Sequence, residues 1–93
     1  MTKRPRSTVF LIAFDDTAVV VDQLECSYDE FYDGDVPLID SSEYRAGKHI
    51  RRITGEVYNG AGSLQQSFDN AYAADGGSVR GRAVHEDGTI VET

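Results

Sequence analysis

The sequence predicts an α+β domain, namely a small single-layer, mainly antiparallel sheet of four or five strands with one packed helix and one or two short helices. Three observations carry that expectation. β-branched and aromatic runs punctuated by turn residues recur towards both ends of the chain, a later segment shows the apolar spacing of an amphipathic helix, and the acidic middle carries helix-start signals. A chain of 93 residues supports a single core, because a domain of this size buries only roughly 60–65% of the surface that its unfolded chain exposes.

Met1 to Ser7 holds three basic residues around Pro5 and no apolar anchor, so residues 1–7 read as a mobile basic arm and residues 8–93 as the domain. Thr8 to Phe14 and Thr17 to Leu24 are β-branched runs separated by Asp15-Asp16, which predicts a hairpin. Both are apolar at consecutive positions, as strands central in a sheet, or covered on both faces by a helix and by a second subunit, would be.

The segment from Glu25 to Tyr44 packs seven carboxylates and three tyrosines into twenty residues without one Lys or Arg. Ser27 with Glu30, and Asp40 with Glu43, have the spacing of capping boxes. Gly34 and Pro37 interrupt the first helix and Gly47 stops the second, which leaves two short helices around an Asp33 to Pro37 loop. Lys48 to Tyr58 alternates, with Ile53, Gly55 and Val57 on one face of a strand. After Asn59-Gly60, Ser63 and Gln66 suggest a third capping box. Leu64, Phe68, Ala71 and Tyr72 then form an apolar stripe, predicting a helix from Leu64 to Ala74 that packs across the sheet. Ser78 to His85, a turn at Glu86-Asp87-Gly88, and Thr89 to Thr93 close the chain as a hairpin.

Composition excludes several functions. A net charge of −7 argues against direct binding of duplex DNA, whose phosphates are held by clustered Lys and Arg. The single cysteine, Cys26, permits no intramolecular disulfide, points to the cytoplasm, and lies among acids that disfavour its thiolate. The apolar run Val9 to Phe14 is too short for a signal sequence or a membrane span. Asp29 to Asp40 can be laid on a calcium-loop template, but Phe31 and Pro37 stand where ligands belong and Asp40 replaces the bidentate Glu. Two distant histidines and one cysteine make no zinc site, and no nucleophile–base spacing stands out. We therefore expect no catalytic residues, no metal and no cofactor.

Two surfaces remain. Tyr28, Asp29, Glu30, Tyr32, Asp33, Asp35, Asp40, Glu43 and Tyr44 interleave carboxylates with aromatic anchors, a combination suited to occupying a basic groove where phosphates would otherwise sit. The expected partner is a protein with a basic, nucleic-acid-binding surface. The competing reading is a solvated loop whose acids are neutralised by the basic run from Arg45 to Arg52. Alternatively, Arg51, Arg52, Arg80 and Arg82 could hold a nucleotide or other anion in an oligomer, and the start of the helix after Asn59 to Ser63 offers a weaker anion site. In size, acidity and lack of catalytic equipment the chain is similar in kind to small phage-encoded inhibitors of host defence such as anti-CRISPR proteins. That similarity carries no motif; it implies a non-enzymatic inhibitor.

Overall fold

A computed structural model describes residues 6–93, and the elements below lie within that span. Most of the arm expected over residues 1–7 falls outside it. Ser7 is tied at both backbone groups, its N–H donating to Asn59 O at 2.9 Å and its carbonyl accepting from Tyr28 N–H at 2.8 Å.

One antiparallel sheet of six strands forms the domain: β1 (Thr8–Phe14), β2 (Val20–Ser27), β3 (Arg52–Tyr58), β4 (Leu64–Tyr72), β5 (Ser78–His85) and β6 (Ile90–Glu92). Their order across the sheet is β2-β1-β3-β4-β5-β6. Three short helices, α1 (Tyr28–Tyr32), α2 (Pro37–Asp40) and α3 (Ser42–Gly47), fill the connection between β2 and β3. Among the described residues, no helix is long and apolar enough to cross a membrane.

The strand count corrects the expectation of four or five, because the segment expected to be a packed helix is β4. Leu64, Phe68 and Tyr72 are four apart, and a spacing of four belongs to both the helical and the two-residue period. Tertiary pairing decided between them. β4 sits between β3 and β5, with Gly55 opposite Phe68 and Phe68 opposite Ala83, so its backbone is satisfied by ladders on both sides. The supposed cap at Ser63 is instead the end of a hairpin loop, where the Asn59 side-chain oxygen accepts from the Ala61 and Ser63 N–H groups at 2.9 and 3.1 Å. The anion site expected at a helix start there is therefore absent.

The first hairpin forms, but its second strand is Val20–Ser27 and not the predicted Thr17 to Leu24, because Thr17 and Val19 are held in the turn. Asp15 Oδ1 accepts from Thr17 N–H at 2.8 Å and Val19 N–H at 3.0 Å, which closes the turn. The Thr17 hydroxyl also donates to this oxygen at 2.7 Å, and that bond first, then the two amides, hold the Asp15 carboxyl below its ordinary pKa. The closing hairpin matches, β5 and β6 meeting around the 86–88 turn.

Register fixes the core. Val9, Leu11 and Ala13 of β1 stand opposite Val57, Gly55 and Ile53 of β3, and all six are buried. The same face carries Cys26, Phe68 and Tyr72, and from above it receives Val36, Leu38 and Ile50. Gly55 is required by this packing: a Cβ there would lie 2.2 Å from Cζ of Phe68. The ring uses the space that a side chain would have taken.

Strands β2 and β3 flank β1 and both run antiparallel to it, so they are parallel to each other. The connection between them must cross over β1. That crossing segment contains all three helices, which explains why they cover one face of the sheet only. The opposite face carries no helix among the described residues, so within the chain β1 is covered on one face.

An acidic crossover as candidate functional site

The acidic stretch begins where β2 ends. Ser27 is at once the last residue of β2 and the N-cap of α1. Its hydroxyl accepts from Glu30 N–H and the Glu30 carboxylate accepts from Ser27 N–H, each at 3.1 Å, completing the predicted capping box. The bond from the Ser27 amide lowers the Glu30 pKa. Asp33 caps the C-terminus, and Gly34 at φ +79° turns the chain away, a conformation that favours glycine.

Pro37 begins α2 and so helps build a helix as well as ending one, as suits a residue with fixed φ and no N–H. Asp40 was expected to cap the following helix. It instead turns back, its Oδ2 accepting from Val36 N–H at 3.3 Å, while the Ser41 hydroxyl caps α3 by accepting from Tyr44 N–H at 3.2 Å. The stretch therefore folds as three short helices, one more than the sequence suggested.

Aromatic side chains fasten this crossover to the sheet. Phe31 stacks on Phe68 at 5.8 Å between ring centroids, and Tyr32 meets Phe31 edge-on at 5.0 Å. The Gln65 side-chain amide donates to the hydroxyls of Tyr28 and Tyr32 at 3.1 and 3.4 Å. Tyr32 nevertheless remains half exposed, and burial together with the neighbouring Tyr28 raises its pKa. Tyr44 donates to Asp22 Oδ2 at 2.5 Å, and this bond to a carboxylate pushes the phenol pKa up.

Arg45 is the central clamp. Only 6% exposed, it donates through Nε to Gly76 O at 2.8 Å and through Nη1 to Ile39 O, and its guanidinium lies 4.4 Å from the centroid of Tyr72. It thus joins α2, α3, β4 and the turn after β4. Close approach at that turn is possible because residue 76 is glycine: a Cβ there would meet Ser42 O at 1.9 Å.

The basic run after the acids does not neutralise them. Arg45 is spent on carbonyls, Lys48 pairs with Asp22 at 3.9 Å, and Arg52 forms a two-pronged pair with Asp69 at 2.9 and 2.6 Å. A third ion pair joins Arg82 and Glu92 at 3.6 Å. Among the described residues, none of these pairs uses Asp29, Glu30, Asp33, Asp35, Asp40 or Glu43, and all six are exposed. On α1, Asp29 and Asp33 are four apart and share a side. No three His, Cys, Asp or Glu side chains among the described residues converge as a metal site would require.

Of the four arginines in the alternative anion site, three are brought together. Register places Arg52 opposite Ala71 and Ala71 opposite Arg80, with Arg82 opposite Asp69 on the same face. Arg51 is one residue out of phase with Arg52. Asp69 sits within this triplet, its pKa lowered first by the hydrogen bond from Arg52, so an incoming anion would meet a fixed carboxylate. At the other end of the fold, burial and then the charge of Glu30 raise the pKa of Cys26, which leaves a neutral thiol among the core residues.

What the sequence could not supply was the role of Arg45 and the bare sheet face. The first needs two carbonyls that are remote in sequence, and the second needs β4 to be read as a strand. Comparison with protein-family models, with curated proteins and with solved structures finds no match to this chain.

Proposed function

We propose that the chain is a non-enzymatic interaction protein that lays its acidic crossover, Tyr28 to Tyr44, into a basic, nucleic-acid-binding surface of a partner protein and thereby blocks it. The observation that carries this reading is the exposure of Asp29, Asp33, Asp35 and Glu43, which none of the ion pairs among the described residues engages. Carboxylates held on and between short helices over a packed sheet are oriented before any partner arrives. Complementary charge then speeds encounter and fixes register. Tyr32, half exposed beside Tyr28, supplies an aromatic anchor among the charges.

The test is binding to a basic nucleic-acid-binding partner recovered from the native host, measured as a function of salt. Affinity should fall steeply between low and physiological ionic strength, because the screening length of exposed charges shrinks from about 30 Å at ~10 mM salt to about 8 Å at physiological salt. The triple change Asp33→Asn, Asp35→Asn, Glu43→Gln should weaken binding at low salt by at least about tenfold, on the order of 1.4 kcal/mol. Binding that is indifferent both to salt and to these substitutions would sink the proposal.

A further inference from the structure

The sheet face opposite the helices is the largest feature that the acidic crossover does not use. Phe10, Ile12 and Phe14 alternate with the core residues of β1 and so point to this other side. All three are half-buried, yet none belongs to the core cluster or packs against it. Val84 stands opposite Ser67, and Ile90 opposite Val84, which continues the apolar surface on β5 and β6. Between the apolar walls, small residues Thr54 and Ser67 floor an open trough of about 400 Å³.

The charges on this face single out its occupant. It carries Arg52, Arg80 and Arg82 against Glu25, Glu56, Asp69 and Glu92, each placed by register on the side of Phe10, Ile12 and Phe14. The face is therefore near neutral at −1, and the other −6 of the chain's −7 lies elsewhere. A second copy of so acidic a chain is repelled by most of the surface and least by this part.

We infer that the chain forms a twofold dimer through this bare sheet face. A twofold axis along the strands between β3 and β4 lays β1 over β5 of the second copy. Phe10 then faces Val84 and Phe14 faces Arg80, an apolar contact and a cation–π contact. Asp69 faces Thr54, Glu56 faces Ser67, and no like charges are apposed. An axis across the strands would instead set Asp69 on Asp69 and Arg82 on Arg82.

The area is sufficient. Five strands at ~4.8 Å spacing and about seven residues at ~3.3 Å each present roughly 550 Å² per copy before corrugation. Two copies thus exceed the ~1,000 Å² that a specific interface needs. The interface is isologous, so every substitution acts twice.

Sedimentation or light scattering on the purified chain tests this independently of the acidic-surface reading. The wild type should have a mass of about 20 kDa at micromolar concentrations, twice the 10.2 kDa of one chain. A mass of one chain up to about 200 µM overturns the inference, since a dimer that weak would not clear the affinity of a specific complex. Ile12→Arg places a second arginine against Arg82 and should halve the mass while leaving the circular dichroism spectrum unchanged. If that variant does not fold, Val84→Arg gives the same readout from the opposite wall. A folded variant that stays dimeric overturns the assignment of the face. The triple change in the acidic crossover should leave the mass at two chains; a loss of dimer there would place the interface on the wrong side.

Discussion

Replacing Arg45 by Met should loosen the acidic crossover and lower the stability of the whole domain. The methionine stem can follow the arginine's path, but nothing then donates to Gly76 O or Ile39 O, and the contact with Tyr72 loses its charge. Each orphaned carbonyl costs about 1–3 kcal/mol when water cannot replace the donor, so a loss of roughly 3 kcal/mol is expected. A domain of this size has only about 5–14 kcal/mol in all. The corresponding fall in Tm is about 12–24 °C, at roughly 4–8 °C per kcal/mol. Urea unfolding gives the free energy directly, and an unchanged slope would show that the loss lies in the folded state. Arg45→Lys should recover less than half of it, since one ammonium cannot span both carbonyls while stacking on Tyr72. A loss below about 1 kcal/mol for Arg45→Met, within the worth of a single ordinary hydrogen bond, would refute the view that this side chain clamps the crossover.

Gly55→Ala should cost about 1–3 kcal/mol by overpacking against Phe68, and Phe68→Leu in the same chain should relieve part of that cost; thermal denaturation of the single and double variants reads the coupling. The Arg52–Asp69 pair predicts an acid-side effect. The Asp69 pKa is lowered in the folded state, so the pair's contribution is fully present above the ordinary carboxylate value of 3.8 and is lost as pH falls through the lowered one. Both side chains are about half exposed, so the difference between wild type and Asp69→Asn should be at most about 1 kcal/mol at neutral pH and should vanish towards pH 2. A difference that grows on acidification would contradict the sign.

Legibility in the sequence followed the range of the interactions involved. The hairpins, the Ser27 cap and the alternation of Ile53, Gly55 and Val57 depend on neighbours a few residues away, and each forms, with β2 shifted three residues along the chain from the expected strand. β4 failed because Leu64, Phe68 and Tyr72 satisfy two periods equally, and only strands some ten residues away on either side could decide between them. The site divided in the same way. The acids and tyrosines were readable as composition, whereas their freedom from the following basic run depended on Arg45 finding a carbonyl thirty-one positions away in the chain. Local charge counting paired neighbours that the fold keeps apart.

The crossing of β1 by the segment between β2 and β3 also bears on binding entropy. Val9, Leu11 and Ala13 lie beneath that crossing, and its two ends are fixed in strands on either side of them. The acidic segment cannot peel away without wetting the core, so under the proposed function it would meet a partner already ordered. Surfaces that fold on binding surrender roughly 2–5 kcal/mol to ordering; a partner of this one would not meet that loss, because the strand order alone dictates the path of the connection.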